Sequence, residues 1–252
     1  MPGRPQRLAA EFIGTYGVVI FSAGAVCADQ FLRNDNQPGL GPLGIALAYG
    51  FAFGTMLTAV GYAVGVQVCG LNPAITIAFW GTRRLGTLDA ITCCLAQLAG
   101  AASAAYTLRS VLPEEIWRAA ALGTPALASG ITRMPGMLLE GFASFFLVFT
   151  VFATTLDGVG ETGRERGTTR WLTSLCGGLV VAAGALFTFP FTGGSMNPAR
   201  AFGPAFAGHY WTNHGIYWIG PLSGGVLAAW IYEAVFLGRR SARVAGDADL
   251  DD

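Results

Sequence analysis

Residues 192–205 read TGGSMNPARAFGPA, a turn cluster with an Asn, a Pro and an Arg set inside an apolar, Gly-rich region. Pro198 fixes φ and carries no N–H, so it suits the first turn of a helix. Asn197, just before it, is a favoured N-cap. A helix starting there turns its positive dipole end and its unpaired N–H groups toward the chain that precedes it. Gly203-Pro204 follows within two turns and predicts that the helix stops there. The same tripeptide occurs once before, as Asn72-Pro73-Ala74 after Leu71, followed by ITIA over 75–78. Taken alone, either Asn-Pro pair is an ordinary helix cap. Two of them in corresponding places of two apolar halves form a pattern.

This pattern closely resembles the aquaporin (major intrinsic protein) family, whose signature is two Asn-Pro-Ala boxes, here Asn72, Pro73, Ala74 and Asn197, Pro198, Ala199. The segment SMNPAR matches that family at nearly every position, and the resemblance covers roughly residues 8–237. It implies an all-α membrane protein of six transmembrane helices plus two re-entrant half-helices in an inverted repeat. It also implies a homotetramer with one pore in each protomer.

Composition supports a membrane protein independently. Of 252 residues, 53% are hydrophobic and 12% charged, against about 25% charged in an average soluble domain, and the mean hydropathy is +0.51. The 36 glycines fit helices that pack closely in lipid through small residues. Gly14, Gly17, Ala23 and Gly24 on the first span have that character. All fifteen cations are Arg and the formal net charge is zero, which leaves no basic face for nucleic acid. The five Cys, at 27, 69, 93, 94 and 176, lack metal-ligand spacing and read as small buried residues. Cys69, three residues before Asn72, is the one placed to be reached from a pore. No cleavable signal pattern precedes the first apolar run. No metal or cofactor is expected.

In chain order, residues 1–7 form a short basic tail with Arg4 and Arg7. Leu8 to Ala28 is a first span, long enough for the roughly 20 residues a bilayer core needs. Glu11 sits inside its start, and a carboxylate there must face the protein interior and be paired. A polar loop covers 29–42, and a second span runs from Leu43 to Val64. From Asn72 to about residue 80 only two or three helical turns fit before Gly81-Thr82-Arg83-Arg84. That is a half-membrane helix entered by irregular backbone, which membranes tolerate only under cover of protein or water. A third span runs from Leu85 to Leu108. Residues 109–133 are a surface connection with one helical turn. A fourth span, Met134 to Leu156, carries Glu140 where the first carries Glu11. A charged segment fills 157–170, a fifth span runs from Trp171 to Pro190, and the second box follows. Residues 209–214 are a wet loop holding His209 and His214, both read as solvated. A sixth span runs from Ile216 to Leu237, and 238–252 form a disordered cytoplasmic tail. The chain is thus one channel domain of two repeats, about 8–108 and 134–237, joined by 109–133. Three spans per repeat is an odd number, so the second repeat inserts upside down. The tails, the loop after the first half-helix and 157–170 carry ten Arg; the opposite side carries four. Both termini are therefore expected in the cytoplasm.

An inverted repeat brings the N-termini of the two half-helices together near the bilayer centre. Asn72 and Asn197 would then offer amide N–H donors to one passing water. Two positive dipole ends would oppose cations, and the carbonyls of 65–71 and 192–196 would line the path as acceptors. Arg200 is a permanent cation in a membrane segment. The family resemblance places it at an outer constriction, and implies that Glu11 and Glu140 brace the re-entrant loops. It further implies three filter partners by position. On the second span these are Phe53, from the stretch FAFG, or Ala52, by counting back from Asn72; we prefer Phe53. The other two are Ala185, where water-selective members usually carry His, and Gly194. Gly70 lies near where the first box commonly carries a His. Ala201 stands where glycerol facilitators usually carry Asp.

The expected function is a passive channel for water, with a filter wide enough for some small uncharged solutes and closed to ions and protons. The alternatives are a glycerol, urea or metalloid facilitator of the same family, or a secondary transporter with alternating access. No Cys/His or Ser/His/Asp constellation supports an enzyme. The lack of Lys and the simple topology suggest a prokaryotic inner (plasma) membrane.

Overall fold

A computed structural model of the chain describes residues 3–64, 69–156 and 163–237. The helices are α1 (Arg4–Asn34), α2 (Gly41–Val64), α3 (Pro73–Gly81), α4 (Thr87–Val111), α5 (Glu114–Ala119), α6 (Arg133–Leu156), α7 (Gly163–Thr192), α8 (Pro198–Gly208) and α9 (Ile216–Tyr232). A 3₁₀ turn lies at Ala121–Gly123, and α9 runs on as a wider π turn over Glu233–Leu237. Among the described residues, six helices are long and apolar enough to cross a membrane.

The polarity is turned inside out. Glu11, Asn72, Gln97, Glu140, Asn197 and Arg200 are buried, while Ile13, Phe21, Phe51, Ile91, Phe142, Leu179 and Trp230 are exposed. Water would penalise that surface; lipid does not. The chain is a multi-pass membrane protein.

The two halves use the same packing. α1 packs on α2 and α4, as α6 packs on α7 and α9, and α2 against α7 joins the halves. The half-helices cross over: α3 packs mainly on α9, and α8 mainly on α4. Several crossings bring backbones together at glycine. A Cβ on Gly178 would stand 2.7 Å from the Gly50 carbonyl oxygen, and one on Gly224 would run into the Gly141 carbonyl. Gly224→Val should therefore force α6 and α9 apart, at a cost of about 3 kcal/mol, and lower the yield of monodisperse protein from membranes. Full yield with an unchanged melting temperature would refute that packing.

Several boundaries differ from the sequence expectation. The basic tail is helical from Arg4, and Arg4 and Arg7 both reach Asp89 of α4, at 2.9 and 3.3 Å. The loop expected at 29–42 shrinks because Asp29 holds Arg33 and also accepts the Gly41 N–H at 2.8 Å. Pro204 does not stop α8, which continues to Gly208 and ends at a left-handed His209. Proline there forfeits only the bond to the Arg200 carbonyl, and Gly203 beside it lets α8 touch the Ala101 backbone of α4. The 109–133 connection holds its expected turn as α5 but is no mere surface strap. Trp117 is buried between the guanidiniums of Arg109 and Arg118, 5.0 and 4.7 Å from its ring. Ala128 donates to the Phe191 carbonyl at 2.9 Å. His214, expected to be solvated, is half-buried and accepts the Trp218 indole N–H at 3.0 Å. All of 157–170 and all of 238–252 lie outside the residues whose side chains are described.

Candidate functional site

The two boxes fold alike. Asn72 and Asn197 are extended N-caps, and Pro follows each at the first helical position. The Asn72 Oδ1 accepts from Ala74 N at 2.9 Å; the Asn197 Oδ1 accepts from Ala199 N at 2.9 Å and Arg200 N at 3.3 Å. The residue before each cap, Leu71 or Met196, sits at φ 55° or 52°. Non-glycine residues seldom adopt that region, and it persists only where the surroundings enforce it.

Here the enforcement is mutual. The Asn72 amide donates to the Met196 carbonyl at 3.0 Å, and the Asn197 amide donates to the Leu71 carbonyl at 3.0 Å. Each cap thus grips the opposite loop, bringing the two half-helix N-termini together. An amide has two N–H groups. One is spent across the axis in each box, and the Asn197 side chain also meets the Tyr49 hydroxyl.

Behind each loop stands the expected glutamate. Glu140 is fully buried and accepts three times: from Thr192 Oγ1 at 2.6 Å and Ser195 N at 3.0 Å on Oε1, and from Met196 N at 2.7 Å on Oε2. Glu11 takes Leu71 N at 3.0 Å and Gln97 Nε2 at 2.7 Å, both on Oε2. Sequence reading missed Gln97. Its amide also donates to the Cys69 carbonyl at 3.1 Å and Thr76 Oγ1 at 3.0 Å. A lone amide amid the apolar α4 was the available signal.

The loop carbonyls are less open than expected. Tyr217 donates to the Thr192 carbonyl at 2.7 Å and Tyr49 to the Ser195 carbonyl at 2.6 Å. No described residue donates to the carbonyls of Gly193 or Gly194. Cys69 is not left facing a pore: it is buried and disulfide-bonded to Cys93 of α4, so these two are not the isolated small residues expected.

Arg200 is 2% exposed, and its Nε and Nη1 meet no acceptor among the described residues. Buried donors are almost always satisfied, so these two N–H groups are placed to serve a molecule outside the chain. Its guanidinium carbon lies 5.8 Å from the centre of the Tyr49 ring. Phe53, the sequence choice for this wall, sits one turn further along α2 and is buried toward α7, its ring 3.2 Å from a Cβ built on Gly177. The alternative, Ala52, is buried as well. Ala185 and Gly194 do meet: a Cβ on Gly194 would stand 3.1 Å from the Ala185 Cα.

Residues 4–232 match the sequence profile of the family described as Major intrinsic protein. The chain belongs to that family. It is 36% identical to aquaporin TIP2-1 of Arabidopsis thaliana over 246 residues, covering 96% of this chain and 91% of that one. It is 34% identical to aquaporin-4 of Mus musculus over 231 residues, covering 92% and 67%. The solved aquaglyceroporin of Plasmodium falciparum shares the fold, with a TM-score of 0.75 at 16% identity over 92% of this chain and 97% of that one. The protein is accordingly a passive channel and not an enzyme.

Proposed function

We propose that the protein conducts water through a pore in each protomer and that its filter also admits some small uncharged solutes. The observation that carries this is the crossed pair of asparagine caps, backed by a buried arginine with two unpartnered N–H groups. Water leaving bulk must replace its hydrogen bonds. The second N–H of Asn72, the carbonyls of Gly193 and Gly194, and Arg200 offer replacements. Two half-helix dipoles, each worth about half a positive charge at the N-terminus, oppose cations at the same place.

The filter we assign is Tyr49, Ala185, Gly194 and Arg200, with Tyr49 replacing Phe53. The Tyr49 hydroxyl is committed to Ser195, which fixes the ring beside Arg200. Ala185 and Gly194 are small, so the opposite wall is set back and apolar. That smallness favours the second reading, a broader facilitator of glycerol, urea or similar solutes. The repeats are assigned to about 8–108 and 134–237, with 109–133 connecting them and 238–252 as a tail. Arginine placement supports cytoplasmic termini in a plasma membrane, and membership of the family supports a homotetramer.

Stopped-flow light scattering on proteoliposomes tests this. Shrinkage should be much faster than in empty vesicles, and Asn197→Asp should slow it. Water flux no greater than in empty vesicles would refute the channel reading. Ala185→His should narrow the filter and cut glycerol and urea flux more than water flux. An equal loss of both would place Ala185 away from the lumen.

A further inference from the structure

We propose that His214 is a positioning residue for the filter and makes the pore acid-sensitive. As a neutral acceptor for the Trp218 indole it fixes the first turn of α9, from which Tyr217 holds the second re-entrant loop; protonation releases that hold. The flux consequence rests on the channel reading; the titration does not.

α9 begins weakly. Its N-cap, Gly215, offers no side chain to the first turn. Pro221 lies one turn later without an N–H, so the Tyr217 carbonyl receives no helical bond from it. His214 supports this turn twice. Its backbone carbonyl accepts the Tyr217 N–H at 3.1 Å, and its ring Nε2 accepts the Trp218 indole N–H at 3.0 Å. The Trp211 ring stands nearly perpendicular to the imidazole, with 4.8 Å between centres.

The same turn carries a filter contact. Tyr217 is buried, and its hydroxyl donates to the Thr192 carbonyl at 2.7 Å. Thr192 Oγ1 donates to Glu140 at 2.6 Å and accepts the Gly194 N–H at 3.3 Å. Gly194 stands against Ala185. A continuous line of contacts thus runs from an imidazole in the 209–214 loop to the filter wall.

Accepting at Nε2 requires a neutral ring with its proton on Nδ1. In the charged ring both nitrogens donate, and the Nε2–H would meet the indole N–H head on. The groups that face His214 are Trp211 of its own loop, Tyr217 and Trp218 of α9, and Arg133 of α6, which donates to Asn213 Oδ1 at 2.7 Å. Of the loop's other titratable groups, His209 caps α8 and Tyr210 turns its hydroxyl to the Arg118 carbonyl. No carboxylate pairs with the imidazole among the described residues, and burial alone holds its pKa below the usual histidine value. The folded contact favours the neutral ring, so its contribution is complete above the ordinary value of about 6.5 and is lost as the pH falls through the lowered one. The charged ring turns from Trp218 toward water. Tyr217 then loosens its grip on Thr192, and the carbonyls of Gly193 and Gly194 lose the fixed direction that water needs.

The test uses the whole protein in proteoliposomes equilibrated between about pH 7.5 and about pH 5, with stopped-flow light scattering as the readout. The chain has two histidines, so His209→Asn leaves His214 as the single imidazole, and asparagine tolerates the left-handed position at 209. NMR of that variant with ring-labelled histidine and labelled indole reads the titration and the Trp218 N–H. Water flux should fall severalfold in acid, in the parent and in His209→Asn, over the interval where His214 titrates and the indole resonance shifts. His214→Gln supplies an oxygen that does not titrate; it should keep the neutral flux and lose the acid response. Should it fail to fold, Trp218→Phe removes the opposing N–H and should flatten the profile likewise. A flat flux profile while His214 titrates would overturn the proposal, as would an imidazole that stays neutral throughout. So would an acid response that survives in His214→Gln and Trp218→Phe. If no pH gives flux above empty vesicles, the channel reading fails, and the indole resonance alone decides whether acid breaks the His214–Trp218 bond.

Discussion

Glu140→Gln should cost far more than Glu11→Gln, although the two glutamates occupy matching places in the repeats. At Glu11 both donors, Leu71 N and Gln97 Nε2, converge on Oε2. A glutamine can leave its single carbonyl oxygen there and keep both bonds. At Glu140 the donors are divided, with Thr192 Oγ1 and Ser195 N on Oε1 and Met196 N on Oε2. A glutamine must turn its NH₂ toward one of these donors, leaving a buried N–H or O–H facing another donor. Each buried donor left without an acceptor costs about 1–3 kcal/mol, a large part of a total stability of about 5–15 kcal/mol. Glu140→Ala orphans the Ser195 and Met196 N–H groups together, while the Thr192 hydroxyl keeps the Thr188 carbonyl, and should leave little folded protein. Glu140→Gln should fold with a clearly lowered melting temperature. Its water flux should fall about tenfold or more, because a barrier increase of 1.4 kcal/mol already gives tenfold and Met196 can no longer be held at its strained φ. Melting curves and stopped-flow flux on the matched pair decide the matter. Equal losses for Glu11→Gln and Glu140→Gln would show that the divided acceptance at Glu140 does not govern the loop.

That asymmetry was invisible in the sequence, where Glu11 and Glu140 look equivalent. Local chemistry was readable: Asn before Pro marks a helix start, and a short apolar stretch closed by glycine and arginines marks a helix too short to span. Two such starts in apolar halves gave the topology. What could not be read was who answers whom across the fold. Gln97 meets Glu11 from 86 residues away, and Tyr49 reaches Ser195 across 146. Helical periodicity carries no information about such partners. The choice of Phe53 rested on matching the stretch FAFG, a local pattern that does not say which face of α2 meets Arg200. Pro204 misled for a different reason. Proline breaks a helix by a lost bond and a clash, and the close approach of Gly203 to α4 compensates locally. The close packing expected at Gly14 and Gly17 takes place within the protomer, Gly14 against Leu71 and Gly17 against Met56.

Arg200→Val should leave the fold intact while changing what passes, the reverse of the result at Glu140. Among the described residues no acceptor depends on the Arg200 Nε or Nη1, so removing the side chain orphans none of them there and eliminates a buried charge. Melting temperature and yield should stay close to those of the parent protein. Selectivity should not. A unit charge about 5 Å from a passing cation, at an effective dielectric constant of about 20, opposes it by about 3 kcal/mol, or about a hundredfold in occupancy. Valine removes that barrier and widens the gap facing Ala185 and Gly194. Glycerol and urea flux should rise about tenfold, and a cation leak should appear above the lipid background. The leak should stay below the full hundredfold, because the two half-helix dipoles at Asn72 and Asn197 still oppose cations. Arg200→Lys separates charge from shape: it should keep cations out yet admit more glycerol, since lysine lacks the planar fork. Solute reswelling and voltage-driven proton flux in proteoliposomes measure both effects. Unchanged glycerol flux and no leak in Arg200→Val would mean that the guanidinium does not border the lumen and that the constriction lies elsewhere.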